Sequence, residues 1–210
     1  MMTGAAFILT AYLIGSLSFA ILVSRVMGLP NPHSYGSGNP GATNVLRSGN
    51  KTAAMLTLLG DAGKGWIAVF LAKHLAWQFD VSDAVIAAVA LAVFIGHLYP
   101  VYFGLRGGKG VATAGGILLA LDWRVGVGTL ATWLIIAFFF RYSSLAALVS
   151  AVFAPFFTAL VIGVDAYVAA TVAIAALLVW RHRSNIRKLL DGTESRIGEK
   201  KKDAATAAAD

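Results

Sequence analysis

The sequence predicts an all-α, polytopic membrane protein of seven transmembrane helices, with the N-terminus outside and the C-terminus cytoplasmic. Three observations carry this. Of 210 residues, 58% are hydrophobic and only 13% charged, against about a quarter charged in a soluble domain. The mean hydropathy is +0.75, and the apolar residues come in runs too long for buried core strands. The net charge of +7 follows the loops of one side, which points to membrane sidedness and not to nucleic-acid binding.

The first apolar run, Ala5 to Val23, is long enough to span and carries Gly15, Ser16 and Ser18, small residues suited to close helix packing. It has no basic n-region and no evident cleavage site, so it reads as a retained helix. After Arg25 a turn-rich stretch holding Pro30, Pro32 and His33 leads into a first polar island, Gly36 to Arg47. Three glycines there leave backbone N–H groups unshielded, while Ser37, Asn39, Thr43 and Asn44 add neutral hydrogen-bonding groups. Arg47 adds a planar fork of donors, and no acidic residue occurs from Met1 to Gly60. The island reads as an anion cradle; an ordinary turn between two helices is the plainer alternative.

The second run, Ala53 to Ala76, is interrupted by Asp61 and Lys64. Three residues apart on a helix, they share a face and can pair. Charges inside a span are costly, so the pair is a functional candidate, a structural pin for the bundle, or both. A third run, Val85 to Val101, carries His97 near its end; with no partner evident in sequence, His97 reads as a packing histidine.

The second island is Gly104 to Thr113. Lys109 lies among Gly107, Gly108 and Gly110 and precedes a small-residue helix start, a pattern suited to phosphate. It is not a P-loop, because the spacing and the residue after the lysine are wrong and no strand precedes it. Val111 to Leu121 is short for a span and implies a thin or tilted helix. Val125 to Phe140, Leu145 to Val164, with a kink expected at Pro155, and Ala166 to Trp180 complete the seven. The third island, Arg181 to Glu194, holds His182, Arg183, Asn185 and Glu194, more than a basic helix cap requires. Residues 1–198 form one domain; 199–210, rich in Lys and then Ala, are expected to be a disordered tail.

With the N-terminus outside, Arg25, Arg47, Lys51, Arg106, Lys109, Arg141 and everything from Arg181 onward fall on the inner side. Only Lys73 and Arg124 lie outside. All three islands then share the cytoplasmic face, with Asp61 and Lys64 in the inner half of their helix, so distant parts of the chain can form one cationic site. The chemistry available there is narrow. There are no cysteines, no Gly-x-Ser-x-Gly elbow and no His-x-x-x-His helix. Acidic residues are too scattered for a metal cage. The residues five after His33, His74, His97 and His182 are Gly38, Phe79, Tyr102 and Arg187, so the His-x-x-x-x-Asp acyltransferase pattern is absent.

Ser-Gly-Asn-Pro-Gly-Ala-Thr-Asn at 37–44, Gly-Gly-Lys-Gly-Val-Ala-Thr at 107–113 and Arg-His-Arg-x-Asn-Ile at 181–186 resemble the three cytoplasmic motifs of the PlsY family of bacterial acyl-phosphate:glycerol-3-phosphate acyltransferases. The resemblance runs from Gly15 to Glu194 and departs at Pro40, where an apolar residue is expected, which touches loop stiffness and no acting group. It implies a seven-helix enzyme of the bacterial inner membrane, its site facing the cytoplasm. It also implies transfer of an acyl group from acyl phosphate to the 1-hydroxyl of glycerol 3-phosphate, without metal, nucleotide or acyl-enzyme. By motif position, Ser37, Gly38, Asn39, Gly41, Thr43 and Asn44 would hold the acyl-phosphate headgroup. Arg47, Lys109, His182 and Asn185 would bind glycerol 3-phosphate and steady the transition state, with Asn39 counted among the catalytic groups. Gly107, Gly108, Gly110 and Thr113 would line the substrate site. Asp61, Lys64, Arg183 and Glu194 would support it. The hydroxyl proton could pass to the donor's own phosphate or to His182. A transporter of an organic phosphate would also want a cationic site between helices, and a non-catalytic membrane scaffold is a third reading; against the transporter, the charges gather at one face and no repeated half is seen.

Overall fold

The structure is a computed structural model and describes residues 2–198; the 199–210 tail lies outside the described residues. Among those described, all regular structure is helical: α1 Met2–Gly15, α2 Phe19–Val26, α3 Ala42–Leu46, α4 Lys51–Phe79, α5 Asp83–Leu98, α6 Val111–Leu121, α7 Trp123–Phe140, α8 Ser143–Val161, α9 Asp165–Arg181 and α10 Arg183–Leu190. A 3-10 turn, Val101–Phe103, follows α5.

Four helices, α4, α5 continued through the 3-10 turn to Phe103, α7 and α8, are long and apolar enough to cross a membrane, and α1 with α2 makes a fifth if the bent pair is one span. The remaining two expected spans are shorter: α6 has 11 residues and α9 has 17. At 1.5 Å per residue α6 is only about 16 Å long, roughly half a hydrocarbon core. α4, with 29 residues, is the longest helix and the axis on which α6, α3 and α2 pack. The bundle wears its apolar residues outside as well as inside. Phe138, Phe139, Leu134 and Ile135 of α7 are exposed, as a lipid-facing helix requires. α8 runs through Pro155 without a break in the helix.

Small residues let the helices meet at backbone distance. A Cβ on Gly15 would lie 2.2 Å from the Val93 carbonyl oxygen, and one on Gly96 would lie 2.3 Å from that of Tyr12, so α1 and α5 cross where neither has a side chain. Gly116 of α6 meets Ala62 of α4 in the same way.

The first apolar run does not form one straight helix. It breaks at Ser16–Ser18, and α1 and α2 are bent by 44°. The Ser16 hydroxyl donates to the Tyr12 carbonyl, and Ser18 occupies the N-cap of α2. The Leu17 carbonyl freed by the break accepts from Lys64 Nζ at 2.6 Å. In an apolar interior an unpaired carbonyl and an unsatisfied ammonium are each costly, and here they satisfy one another.

Candidate active site

Loops at one end of the bundle bring the three polar islands around a single open cavity of about 370 Å³. The first island contributes His33, Ser37, Gly38 and Asn39; the second Arg106, Gly107 and Lys109; the third Arg181, Arg183, Ser184, Asn185 and Lys188. The lining is strongly cationic and, among the described residues, carries no acidic side chain.

Lys109 stands at its centre. Its Nζ donates to Asn185 Oδ1 at 2.5 Å, and Asn185 Nδ2 donates to Glu194 Oε1 at 2.7 Å. The Ser144 hydroxyl donates to the same carboxylate oxygen at 2.6 Å. Glu194 thus fixes which way the Asn185 amide points, and the amide oxygen holds the ammonium. Burial pulls Lys109 down from the ordinary 10.5 to about 8; the Glu194 charge opposes this, while Lys188, Arg181 and Arg47 add to it.

His182 is buried at the junction of α9 and α10. Its Nδ1 lies 2.8 Å from the Leu178 carbonyl, which can only accept, so Nδ1 carries the hydrogen and Nε2 is the basic nitrogen. Burial pushes the ring down to about 4, with the Lys109 charge adding to that effect and the Leu178 bond opposing it. The imidazole is therefore neutral at pH 7.

The glycines of the second island act differently from donors in a cradle. Gly107 N–H bonds the Leu98 carbonyl and Gly108 N–H that of His97, each at 3.2 Å. Arg181 in turn donates to both glycine carbonyls, at 2.8 Å to Gly107 and 3.2 Å to Gly108. A Cβ on Gly107 would sit 2.0 Å from the His97 carbonyl, and one on Gly108 would sit 2.3 Å from His97 Nε2 and 2.9 Å from the Pro40 carbonyl. These two residues are glycine because three chain segments pass through one point, not because their amides face an anion. Gly110, the α6 N-cap, needs its positive φ of 86° and the room that Phe94 leaves.

The first island is similarly self-bound. Asn44 Oδ1 accepts from the Ser37 amide at 2.9 Å and its hydroxyl at 3.2 Å, while Nδ2 donates to the Pro32 and Tyr35 carbonyls. Buried and fully bonded, Asn44 shapes the loop and has no group left over for a ligand. The Gly38 amide is spent on Tyr35 and that of Gly41, the N-cap of α3, on Asn39. Thr43 is exposed, its hydroxyl 3.4 Å from that of Ser143, away from the cavity. Thr113 is fully buried in α6, its hydroxyl without a partner and its carbonyl against Gly65 of α4. Arg47 is exposed and donates to Ser195 Oγ at 2.8 Å, beside the cavity lining and not in it. Arg183 lies over the Trp180 ring, 4.8 Å from its centroid.

Beneath the second island lies the buried pair. Lys64 Nζ is 2.9 Å from Asp61 Oδ1, a close charge contact poorly aligned as a hydrogen bond. The third member is His97, which the sequence left as a packing residue. Its Nδ1 is 2.9 Å from Lys64 Nζ and 3.6 Å from Asp61 Oδ1. An ammonium has no acceptor, so Nδ1 accepts and the ring proton sits on Nε2, the edge that faces Gly108. His97 thereby connects the charge pair in α4 to the loop that carries Lys109. The Gly96-His97 step just before a glycine island was the available signal: a histidine at a span's end, next to residues without side chains.

No group of three or more His, Cys, Asp or Glu side chains is arranged to hold a metal among the described residues. The site offers instead fixed cations, a neutral imidazole and oriented amides, a set that binds phosphorylated anions and stabilises negative charge developing nearby.

Comparison with known proteins agrees with this chemistry. The glycerol-3-phosphate acyltransferase family model matches residues 5–192. A glycerol-3-phosphate acyltransferase of Cupriavidus necator is 67% identical over 201 residues, covering 96% of this chain and all of that protein. One of Burkholderia orbicola is 66% identical over 200 residues, covering 94% of each. Among solved structures, the glycerol 3-phosphate form of PlsY (YgiH), an integral membrane glycerol 3-phosphate acyltransferase, aligns with a TM-score of 0.87 at 36% identity, covering 93% of this chain and 96% of that one. Its lysophosphatidic acid form aligns with a TM-score of 0.85 at the same identity and coverage. With islands, cavity and relatives in agreement over nearly its whole length, the chain belongs to the glycerol-3-phosphate acyltransferase family.

Proposed function

We propose that this protein acylates the 1-hydroxyl of glycerol 3-phosphate with acyl phosphate as donor, releasing lysophosphatidate and inorganic phosphate, the first acylation of phospholipid synthesis. Membership of the family makes it a membrane acyltransferase for glycerol 3-phosphate; donor, product and residue roles are our reading. The observation that carries it is the cavity itself, which gathers Arg106, Lys109, Arg181, Arg183 and Lys188 without an acidic lining residue, enough charge for two phosphorylated substrates. Support also comes from the solved relative, whose two forms hold molecules that differ by one acyl group.

In this reading the hydroxyl oxygen attacks the acyl carbonyl carbon, the carbonyl–phosphate C–O bond breaks, and the proton leaves with phosphate. A phosphate with a second pKa of about 6 is the better base than an imidazole at about 4. His182 is then a neutral hydrogen-bonding group and not the proton acceptor. Lys109, Asn39 and Asn185 steady the anions and the developing oxyanion, for which one good donor contributes about 3–4 kcal/mol. Asn44, Gly108, Gly110 and Thr113 hold the cavity's shape from outside it, and Gly107 does so from its wall. Arg47 exchanges Ser195 for substrate phosphate. Arg47→Lys is expected to lower kcat/KM about tenfold, since a point charge does not reproduce a bidentate fork, while Ser195→Ala stays near wild type. Equal values for Arg47→Lys and wild type in steady-state assays would remove Arg47 from the site.

The donor is tested by giving purified enzyme acyl phosphate or acyl-CoA of one chain length with glycerol 3-phosphate. Lysophosphatidate and phosphate should appear one for one from acyl phosphate alone, because a thioester sulfur offers no oxyanion to take the proton before cleavage. Comparable product from acyl-CoA refutes the donor and the proton route together.

We further propose seven spans, the bent α1–α2 pair, the short α6 and α9 included, in the bacterial inner membrane with the cavity on the cytoplasmic side. The basic loops at the cavity end support this. Single cysteines at Ser34, Arg106 and Ser195, all exposed, should react with a membrane-impermeant maleimide only from inside, and one at Ser82 only from outside. Outside labelling at Arg106 refutes the orientation.

A further inference from the structure

Helix α10 has two working flanks. Ser184, Asn185 and Lys188 line the cavity. Arg183, Arg187 and Leu190 recur at i, i+4 and i+7 and form a stripe that starts at the cavity edge, which Arg183 also lines, and leaves it along the other flank through Arg187 and Leu190. The two arginines are exposed, and Leu190 is 82% exposed, the outermost large apolar side chain of the third island. Among the described residues Arg187 has no acidic partner within salt-bridge distance. At the start of the stripe Arg183 stacks on Trp180, itself 47% exposed on the last turn of α9. Ile186 and Leu189 are half-buried, and the helix packs on α8 and α9.

A lone exposed leucine in water would carry no meaning. Here it shares a stripe with two exposed arginines and a tryptophan at the end of an apolar helix. That combination fits a helix lying in the plane of a membrane surface: indole at headgroup level, leucine reaching the acyl boundary and guanidinium groups among phosphates. The charge is continued in sequence by Arg196 and by Lys200, Lys201 and Lys202. Basic clusters directly after a span are attracted to anionic lipid and far less to zwitterionic lipid.

We propose that the Arg187–Leu190 end of this stripe is a docking surface for anionic phospholipid headgroups. Lipid seated there holds α10 in the plane of the membrane, and α10 holds Asn185 against Lys109, so the lipid is coupled to the cavity through one short helix. The activity arm of the test rests on the function proposed above; the lipid-binding arm does not.

The protein is reconstituted in nanodiscs of phosphatidylcholine, with or without about one-third phosphatidylglycerol, and released for native mass spectrometry to count retained lipid. Wild type should retain phosphatidylglycerol over phosphatidylcholine, and Arg187→Gln with Leu190→Ser should lower that preference roughly fivefold. Arg187→Glu should invert it. In the same discs, wild-type turnover should rise with phosphatidylglycerol, and the double variant should lose this rise while matching wild type in pure phosphatidylcholine. Equal retention of both lipids by wild type, or undiminished phosphatidylglycerol retention by a monodisperse double variant, overturns the proposal whatever the acyl donor proves to be.

Discussion

Lys109→Ala is expected to lower kcat by about a hundredfold or more while the protein stays folded, because among the described residues Lys109 is the cation bonded to the Asn185 amide oxygen. The pH profile provides the sharper measurement. The ammonium is the working form, and burial brings its loss down to about pH 8 in the free enzyme. The alkaline limb of kcat/KM should therefore fall through about pH 8. A bound dianion favours the charged form, so the limb of kcat should lie at higher pH. Lys109→Arg, even if slow, should lose this limb, since a guanidinium does not titrate there. The stability effect has the opposite sign. Between about 8 and 10.5 the unfolded chain keeps a proton that the folded chain has released, so this residue's unfavourable contribution is relieved as pH rises. A limb unchanged in Lys109→Arg assigns it to another group and removes Lys109 from the centre of the mechanism.

Asp61→Ala is the substitution expected to cost most in stability. It leaves the Lys64 ammonium, 3% exposed, without its counter-charge, and breaking a buried pair in this way costs about 3–5 kcal/mol. The thermal midpoint of the solubilised protein should fall by about 10 °C. Asp61→Leu combined with Lys64→Met removes both charges and should recover part of that loss, the remainder being the Leu17 carbonyl and His97 Nδ1 left without the ammonium they accept from. Activity should not return, because His97 would lose the ammonium that fixes its ring beside Gly108. A double variant no more stable than Asp61→Ala would mean the pair does not act as a neutral unit.

Much of this was readable before any coordinates. Hydropathy set the helical class, and the residue types of three distant islands pointed to one cationic cavity that the fold does form. The i, i+3 spacing of Asp61 and Lys64 implied their contact. What sequence could not carry was mostly a matter of backbone. Ser16 and Ser18 are ordinary in a straight membrane helix, so nothing marked the break between them. His97 is 33 residues from Lys64, beyond the reach of any local spacing rule. The glycines were the instructive case. A glycine that bares its amide to an anion and one that lets another chain touch it are the same letter, and Gly107 and Gly108 proved to be the second kind. Asn44 likewise looked like a ligand group among other polar residues, and only the positions of Ser37, Pro32 and Tyr35 reveal that its bonds are already made.

The carbonyl of Leu17 has a consequence for how this protein can change over evolutionary time. The atom that accepts the buried ammonium belongs to the backbone, so no particular side chain is needed at that position, and Leu17 is itself 37% exposed. Apolar replacements there should pass unnoticed. Deleting or inserting one residue between Ser16 and Ser18 would change where the break between α1 and α2 falls, move the carbonyl off the ammonium and strand Lys64. The constraint is on spacing and not on identity, so the stretch would look freely variable residue by residue while being intolerant of any change in length.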